Sequence, residues 1–167
     1  LQDELPSWLY PVTMGATTIW ERWDSMLPDG SINPGDMTSF NHYALGAVAD
    51  FLHRVVAGLA ADAPGWERIR FEPQPGGRLE HASARYDSVR GTASIAWRRD
   101  GERLSIDVEV PAASVGVLVL PGSAEEIPVG PGRHSFTTTF RAVEDDPERP
   151  FFGWRRPEPV LETEGAA

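Results

Sequence analysis

The sequence predicts an α+β protein, with helices first and an antiparallel β-sandwich after them. Two observations carry this. Leu45, Val48, Leu52, Val55, Val56 and Leu59 recur at spacings of three and four, the period of one buried helical stripe. After Gly65 the period drops to two, and turn-forming residues separate about seven short strands up to Phe140. The division expected from these shifts is a helical part over 1–64, a β-sandwich over 65–141 and an irregular tail over 142–167.

Taken in order, residues 1–14 read as extended or irregular, because Pro6 and Pro11 bias the residues before them toward β or polyproline geometry. A short helix is expected over 16–25. It would place Ile19 with Trp23, and Trp20 with Asp24, on shared faces. Residues 26–38 are dense in turn formers and read as a loop. Its Asp29, Ser31, Asn33 alternation brushes against a calcium loop, but the glycine is misplaced and Phe40 stands where the last acidic ligand belongs. The second helix carries the apolar stripe, is capped by Ser39 or Asn41, and ends at Ala63-Pro64-Gly65. His42 and His53 lie about 16 Å apart along such a helix and cannot share a metal.

The β region begins with the alternation Trp66 to Glu72 and breaks at Pro73 and Pro75-Gly76-Gly77. Strands follow at 79–89 and 92–97, and Asp100-Gly101 forms the centre of a hairpin turn. Leu104 to Val110 alternates most cleanly, with Val115 to Leu120, Ile127 to Val129 and His134 to Phe140 completing the set. His81, Tyr86 and Trp97 could line a sugar groove, but core and edge packing is the simpler reading. The tail is polar and proline-bearing, with Phe151-Phe152-Gly153-Trp154 as a segment that could dock.

Composition sets the outer limits. The chain has 167 residues, a formal charge of -10 and a pI near 4.8, which argues against nucleic acid and anionic membrane as partners. Without cysteine there is neither a disulfide frame nor a thiolate metal site. No metal site and no cofactor is expected, and no apolar run approaches the roughly 20 residues of a membrane span. The first residue is Leu rather than Met, so the sequence reads as a piece of a longer chain. The lack of cysteine and of a leader permits the cytoplasm, while a secreted protein stays open.

The chemistry gathers between Pro6 and His42. Trp8, Tyr10, Trp20 and Trp23 surround one carboxylate, Glu21, with Arg22 beside it. A carboxylate crowded by indoles is poorly hydrated, the setting in which it can act as a general base or acid, while Arg22 would favour its charged form if the two met. The bland alternative is a solvated Glu and Arg opposite a tryptophan core face. His42 falls in the first turn of the expected second helix, where it could bond a ligand or simply cap or pack.

Three blocks in order carry a resemblance: Ser7-Trp8-Leu9-Tyr10-Pro11-Val12, Gly15-Ala16-Thr17-Thr18-Ile19-Trp20-Glu21-Arg22-Trp23-Asp24 and Ser39-Phe40-Asn41-His42-Tyr43-Ala44-Leu45-Gly46. Together they resemble the C-terminal part of bacterial α-L-rhamnosidases, glycoside hydrolase family 78. The resemblance implies that 1–64 is the end of an (α/α)6 catalytic barrel and that the sandwich is the family's C-terminal β-domain. It implies inverting hydrolysis of terminal α-L-rhamnose, with Glu21 as general base and His42 as a sugar contact. Trp8, Trp20 and Trp23 would wall the sugar, whose source is a rhamnose-containing glycoside or oligosaccharide.

The family's general acid lies upstream of the Trp-Glu-Arg-Trp block, so the upstream remainder of the same enzyme is an expected partner. The chain alone is expected to be inactive and to expose apolar helix surface that the rest would cover. Two other readings stand beside this one. One is another (α/α)6-barrel glycosidase; the other is a non-catalytic carbohydrate-binding or structural β-sandwich module.

Overall fold

The computed structural model describes residues 7–77 and 79–140. The expected tail over 142–167, with Phe151 to Trp154, lies outside the described residues. The chain forms two compact units, divided in sequence between His53 and Arg54.

In the first unit, α1 spans Leu9–Thr13, where irregular chain was expected. Pro11 is tolerated because N–H groups in a helix's first turn have no intrahelical partner. Tyr10 and Pro11 are buried, and the Tyr10 hydroxyl donates to the Met26 carbonyl at 2.8 Å. The helix closes in a Schellman turn, with Gly15 N–H donating to Val12 O and Ala16 N–H to Pro11 O.

Residues 16–25 are not the expected helix. Thr17, Thr18 and Ile19 are β-branched in succession, and their stiff side chains crowd a helix's preceding turn. The backbone bonds across to the next motif block instead. Glu21 N–H donates to the Ser39 carbonyl and His42 N–H to the Ile19 carbonyl, both at 2.8 Å. The Thr18 hydroxyl adds a bond to the Phe40 carbonyl. In the loop that follows, Asp29 accepts from the backbone N–H and the hydroxyl of Ser31, closing its own turn.

The second helix changes its winding twice. It is a 3-10 turn over Ala44–Ala47, α2 over Val48–Phe51 and a π segment over Leu52–Ala57. The apolar stripe is therefore split, since each winding carries its own period. Val56 and Leu59 are buried, whereas Leu52 is 38% exposed. Neither Ser39 nor Asn41 caps it. The imidazole Nδ1 of His42 accepts the Ala44 N–H at 3.3 Å. The helical path ends at Ala57, short of Ala63-Pro64-Gly65, because Gly58 turns the chain into strand β1, Leu59–Ala61.

Seven further strands follow: β2 Arg68–Phe71, β3 His81–Ser88, β4 Gly91–Asp100, β5 Arg103–Val110, β6 Val115–Val119, β7 Glu126–Val129 and β8 Gly132–Thr139. They form two four-stranded sheets, in the orders β1-β2-β6-β7 and β3-β4-β5-β8. All pairs are antiparallel except β2 with β6, which run parallel, a departure from the expected pattern. It arises because the chain leaves β2 at Pro73, builds β3, β4 and β5 in the other sheet, and returns beside β2. Pro64–Trp66 is a 3-10 turn, so β2 starts later than the sequence pattern suggested. The β4–β5 turn lies one residue on from Asp100-Gly101, since Asp100 already pairs with Arg103.

Leu104, Ile106, Val108 and Val110 are buried at alternate positions of β5, as their period requires. The sheets face each other at Gly116 of β6. A Cβ there would lie 3.0 Å from Phe71 of β2 and 3.0 Å from Val110 of β5. Trp97 of β4 is buried, and its indole N–H donates to the Val56 carbonyl at 2.9 Å. Arg70 bridges Glu72 at 2.6 Å and Glu126 at 2.8 Å, and Arg68 joins Glu126 at 2.8 Å. These ion pairs tie edge strand β7 to β2.

Candidate active site

Glu21 and His42 come together although neither sits on the helix expected for it. The bonds between residues 19–21 and 39–42 align the two segments side by side. That alignment leaves His42 Nε2 3.7 Å from Glu21 Oε1. The Glu21 side chain is 17% exposed, so its carboxylate is mostly shielded yet reachable. Its other oxygen, Oε2, accepts the Ser39 backbone N–H at 3.1 Å. One carboxylate oxygen is thus anchored, and the other faces the imidazole. The His42 ring also stacks on Tyr43, with centroids 5.1 Å apart and planes at 14°.

Arg22 does not meet Glu21. It donates to both oxygens of Asp24, through Nε at 2.6 Å and Nη2 at 3.2 Å. Asn33 adds a third bond to Asp24 at 3.0 Å. The Arg22 hydrogen bond, helped by its charge and by Asn33, holds the Asp24 carboxyl below the usual carboxylate value. Arg22 and Asp24 therefore form a structural pair that braces the loop.

The three tryptophans form a separate group. Trp20 is buried and meets Phe40 edge-on at 5.1 Å. Trp23 meets Trp8 edge-on at 5.2 Å, and the Trp8 indole N–H donates to the Leu45 carbonyl at 2.7 Å. Trp8, Trp20 and Trp23 wall a cavity of about 280 Å³ together with Pro11, Val12 and Leu45. Glu21 and His42 are not among its walls. The buried indole N–H of Trp23 has no acceptor among the described residues. In the second unit Trp97 is core and Tyr86 stacks on Trp66 at 4.3 Å, so with exposed His81 they do not make one groove.

Among the described residues no group of three or more His, Asp or Glu could hold a metal ion, and no helix is long and apolar enough to cross a membrane. The geometry of Glu21 and His42 offers proton transfer at a shielded carboxylate beside an imidazole. Sequence reasoning took Ser39 for a helix cap and missed its backbone as the anchor of Glu21. A main-chain donor leaves no mark in residue identity.

Two family descriptions match consecutive parts of the chain. The bacterial α-L-rhamnosidase six-hairpin glycosidase domain matches residues 1–56, and the bacterial α-L-rhamnosidase C-terminal domain matches residues 58–135. An α-L-rhamnosidase of Streptomyces avermitilis is 37% identical over 120 residues, which is 72% of this chain and 12% of that protein. The crystal structure of native α-L-rhamnosidase from Aspergillus terreus superimposes with a TM-score of 0.77 at 49% identity, covering 86% of this chain and 17% of that one. The structure of the Streptomyces avermitilis α-L-rhamnosidase complexed with L-rhamnose gives 0.71 at 31% identity, over 81% of this chain and 15% of that one. The chain thus spans a small fraction of these relatives' length.

Proposed function

The chain belongs to the bacterial α-L-rhamnosidase family, and from that premise we propose that the enzyme carrying this sequence hydrolyses terminal α-L-rhamnose with inversion, using Glu21 as general base. The observation that carries the assignment is the anchored, shielded carboxylate of Glu21 with its free oxygen toward His42. A water beside Oε1 gives its proton to that oxygen while its own oxygen attacks the anomeric carbon. The bond to the aglycone oxygen breaks, and a second carboxylic acid protonates that oxygen as it leaves. Inverting enzymes separate the two carboxyls by roughly 6.5–9.5 Å to leave room for the water.

Asp24 is engaged by Arg22 and Asn33, and Asp29 by Ser31, which makes both poor candidates for the acid. The family resemblance implies that the acid comes from the part of the six-hairpin domain upstream of the Trp-Glu-Arg-Trp block. That part also completes the pocket, so the chain by itself has little or no turnover. His42 contributes to the sugar site. Trp8, Trp20 and Trp23 would extend its apolar wall through the cavity they share, although Glu21 and His42 do not line that cavity.

Glu21→Gln in the full-length enzyme tests the assignment, with hydrolysis of an aryl α-L-rhamnoside as the assay. Turnover should fall by about 10²–10⁴-fold with the melting temperature unchanged. Near-normal turnover would remove Glu21 from the mechanism.

A further inference from the structure

We propose that His42 is a positioning residue for Glu21, acting through the carboxylate as well as at the sugar; this rests on Glu21 being the base. Four constraints fix the imidazole. Its backbone N–H is bonded to the Ile19 carbonyl at 2.8 Å. One ring face lies on Tyr43. Its Nδ1 accepts the Ala44 N–H at 3.3 Å. Its Nε2 lies 3.7 Å from Glu21 Oε1.

The third constraint decides what the fourth can do. A nitrogen that accepts a hydrogen bond carries no proton, so the proton of the neutral ring sits on Nε2. Were both nitrogens protonated, the Nδ1–H would point at the Ala44 N–H, donor against donor. The geometry therefore assigns the Nε2–H tautomer, which puts the donor nitrogen 3.7 Å from Glu21 Oε1. At 3.7 Å the contact is longer than a hydrogen bond, as such contacts often are before substrate closes the site.

Ser39 N–H holds Oε2 by a hydrogen bond and His42 Nε2 stands 3.7 Å from Oε1, so the two groups flank the two oxygens of the base. The second lone pair of Oε1 remains for the water. A sugar contact alone would not require this tautomer.

The experiment is a double-mutant cycle on kcat in the full-length enzyme, using His42→Leu, Glu21→Gln and the pair. Misplacement of a reacting group costs about 100-fold in rate, and His42→Leu should lose kcat on that scale in the wild-type background. In the Glu21→Gln background the same change should cost almost nothing, because the group it positions is already gone. His42→Gln restores an N–H near the Nε2 position and should hold kcat within about tenfold of wild type. It also guards against misreading a folding defect in the leucine variant. Equal losses in both backgrounds, or a loss confined to KM, would overturn the positioning role while leaving Glu21 as base. Full turnover by Glu21→Gln would instead sink the base assignment, and this proposal with it.

Discussion

Replacing Gly58 by alanine should destabilise the sandwich severely. Gly58 has φ +86°, a region that disfavours any Cβ, at a cost of about 1–2 kcal/mol for an ordinary residue. The added methyl would also lie 2.3 Å from Pro73 N, 2.4 Å from Pro73 Cα and 2.5 Å from Glu72 C. These are backbone atoms and cannot rotate away. Glu72 N–H is bonded to the Gly58 carbonyl and Gln74 N–H to the Val55 carbonyl, so the opposing chain is fastened on both sides of Pro73. Overpacking of this kind adds about 1–3 kcal/mol, for a total of about 2–5 kcal/mol against a typical stability of about 5–15 kcal/mol.

Gly65 is the control. Its φ is +63°, yet a Cβ there meets nothing within 4 Å. Gly65→Ala should therefore cost only the backbone part, about 1–2 kcal/mol. Urea unfolding followed by circular dichroism measures both variants. If Gly58→Ala is no less stable than Gly65→Ala, the close approach of Pro73 does not govern this junction.

Two further perturbations test the second unit. Trp97→Phe leaves the Val56 carbonyl without its indole donor inside the core, and unfolding free energy should fall by about 1–3 kcal/mol; an unchanged value would show that the bond is dispensable. Glu126 contributes a pH dependence. The hydrogen bond from Arg70, with the charges of Arg68 and Arg70, holds its carboxyl below the ordinary 4.5. A carboxyl depressed in the folded state stabilises fully above its unfolded value and loses that contribution as pH falls through the folded one. The melting-temperature gap between wild type and Glu126→Gln should therefore hold at pH values above 4.5 and narrow as pH falls below it, and a gap that stays constant down to acid pH would refute the ion-pair role.

The sequence by itself determined what is local or periodic. β5 alternates as written because its neighbours in sequence decide its two faces, and the Asp-Gly signal located the β4–β5 hairpin to within one residue. Residue type made Glu21 and His42 chemically plausible, and the family resemblance of their motif blocks singled them out.

What lay beyond it depends on pairing between distant segments. Residues 16–25 have an amphipathic spacing, but the backbone of Ile19 and Glu21 finds its partners in His42 and Ser39, and that exchange overrides the helical pattern. Gly58 falls inside the helix expected to run to Ala63-Pro64-Gly65, yet it marks the place where the chain passes against Pro73 and becomes a strand. The parallel β2–β6 pair joins segments with three strands between them. The same holds for the site. Residue identity can nominate a carboxylate and an imidazole, but their approach to 3.7 Å is set by main-chain hydrogen bonds, and every residue except proline offers the same donor and acceptor.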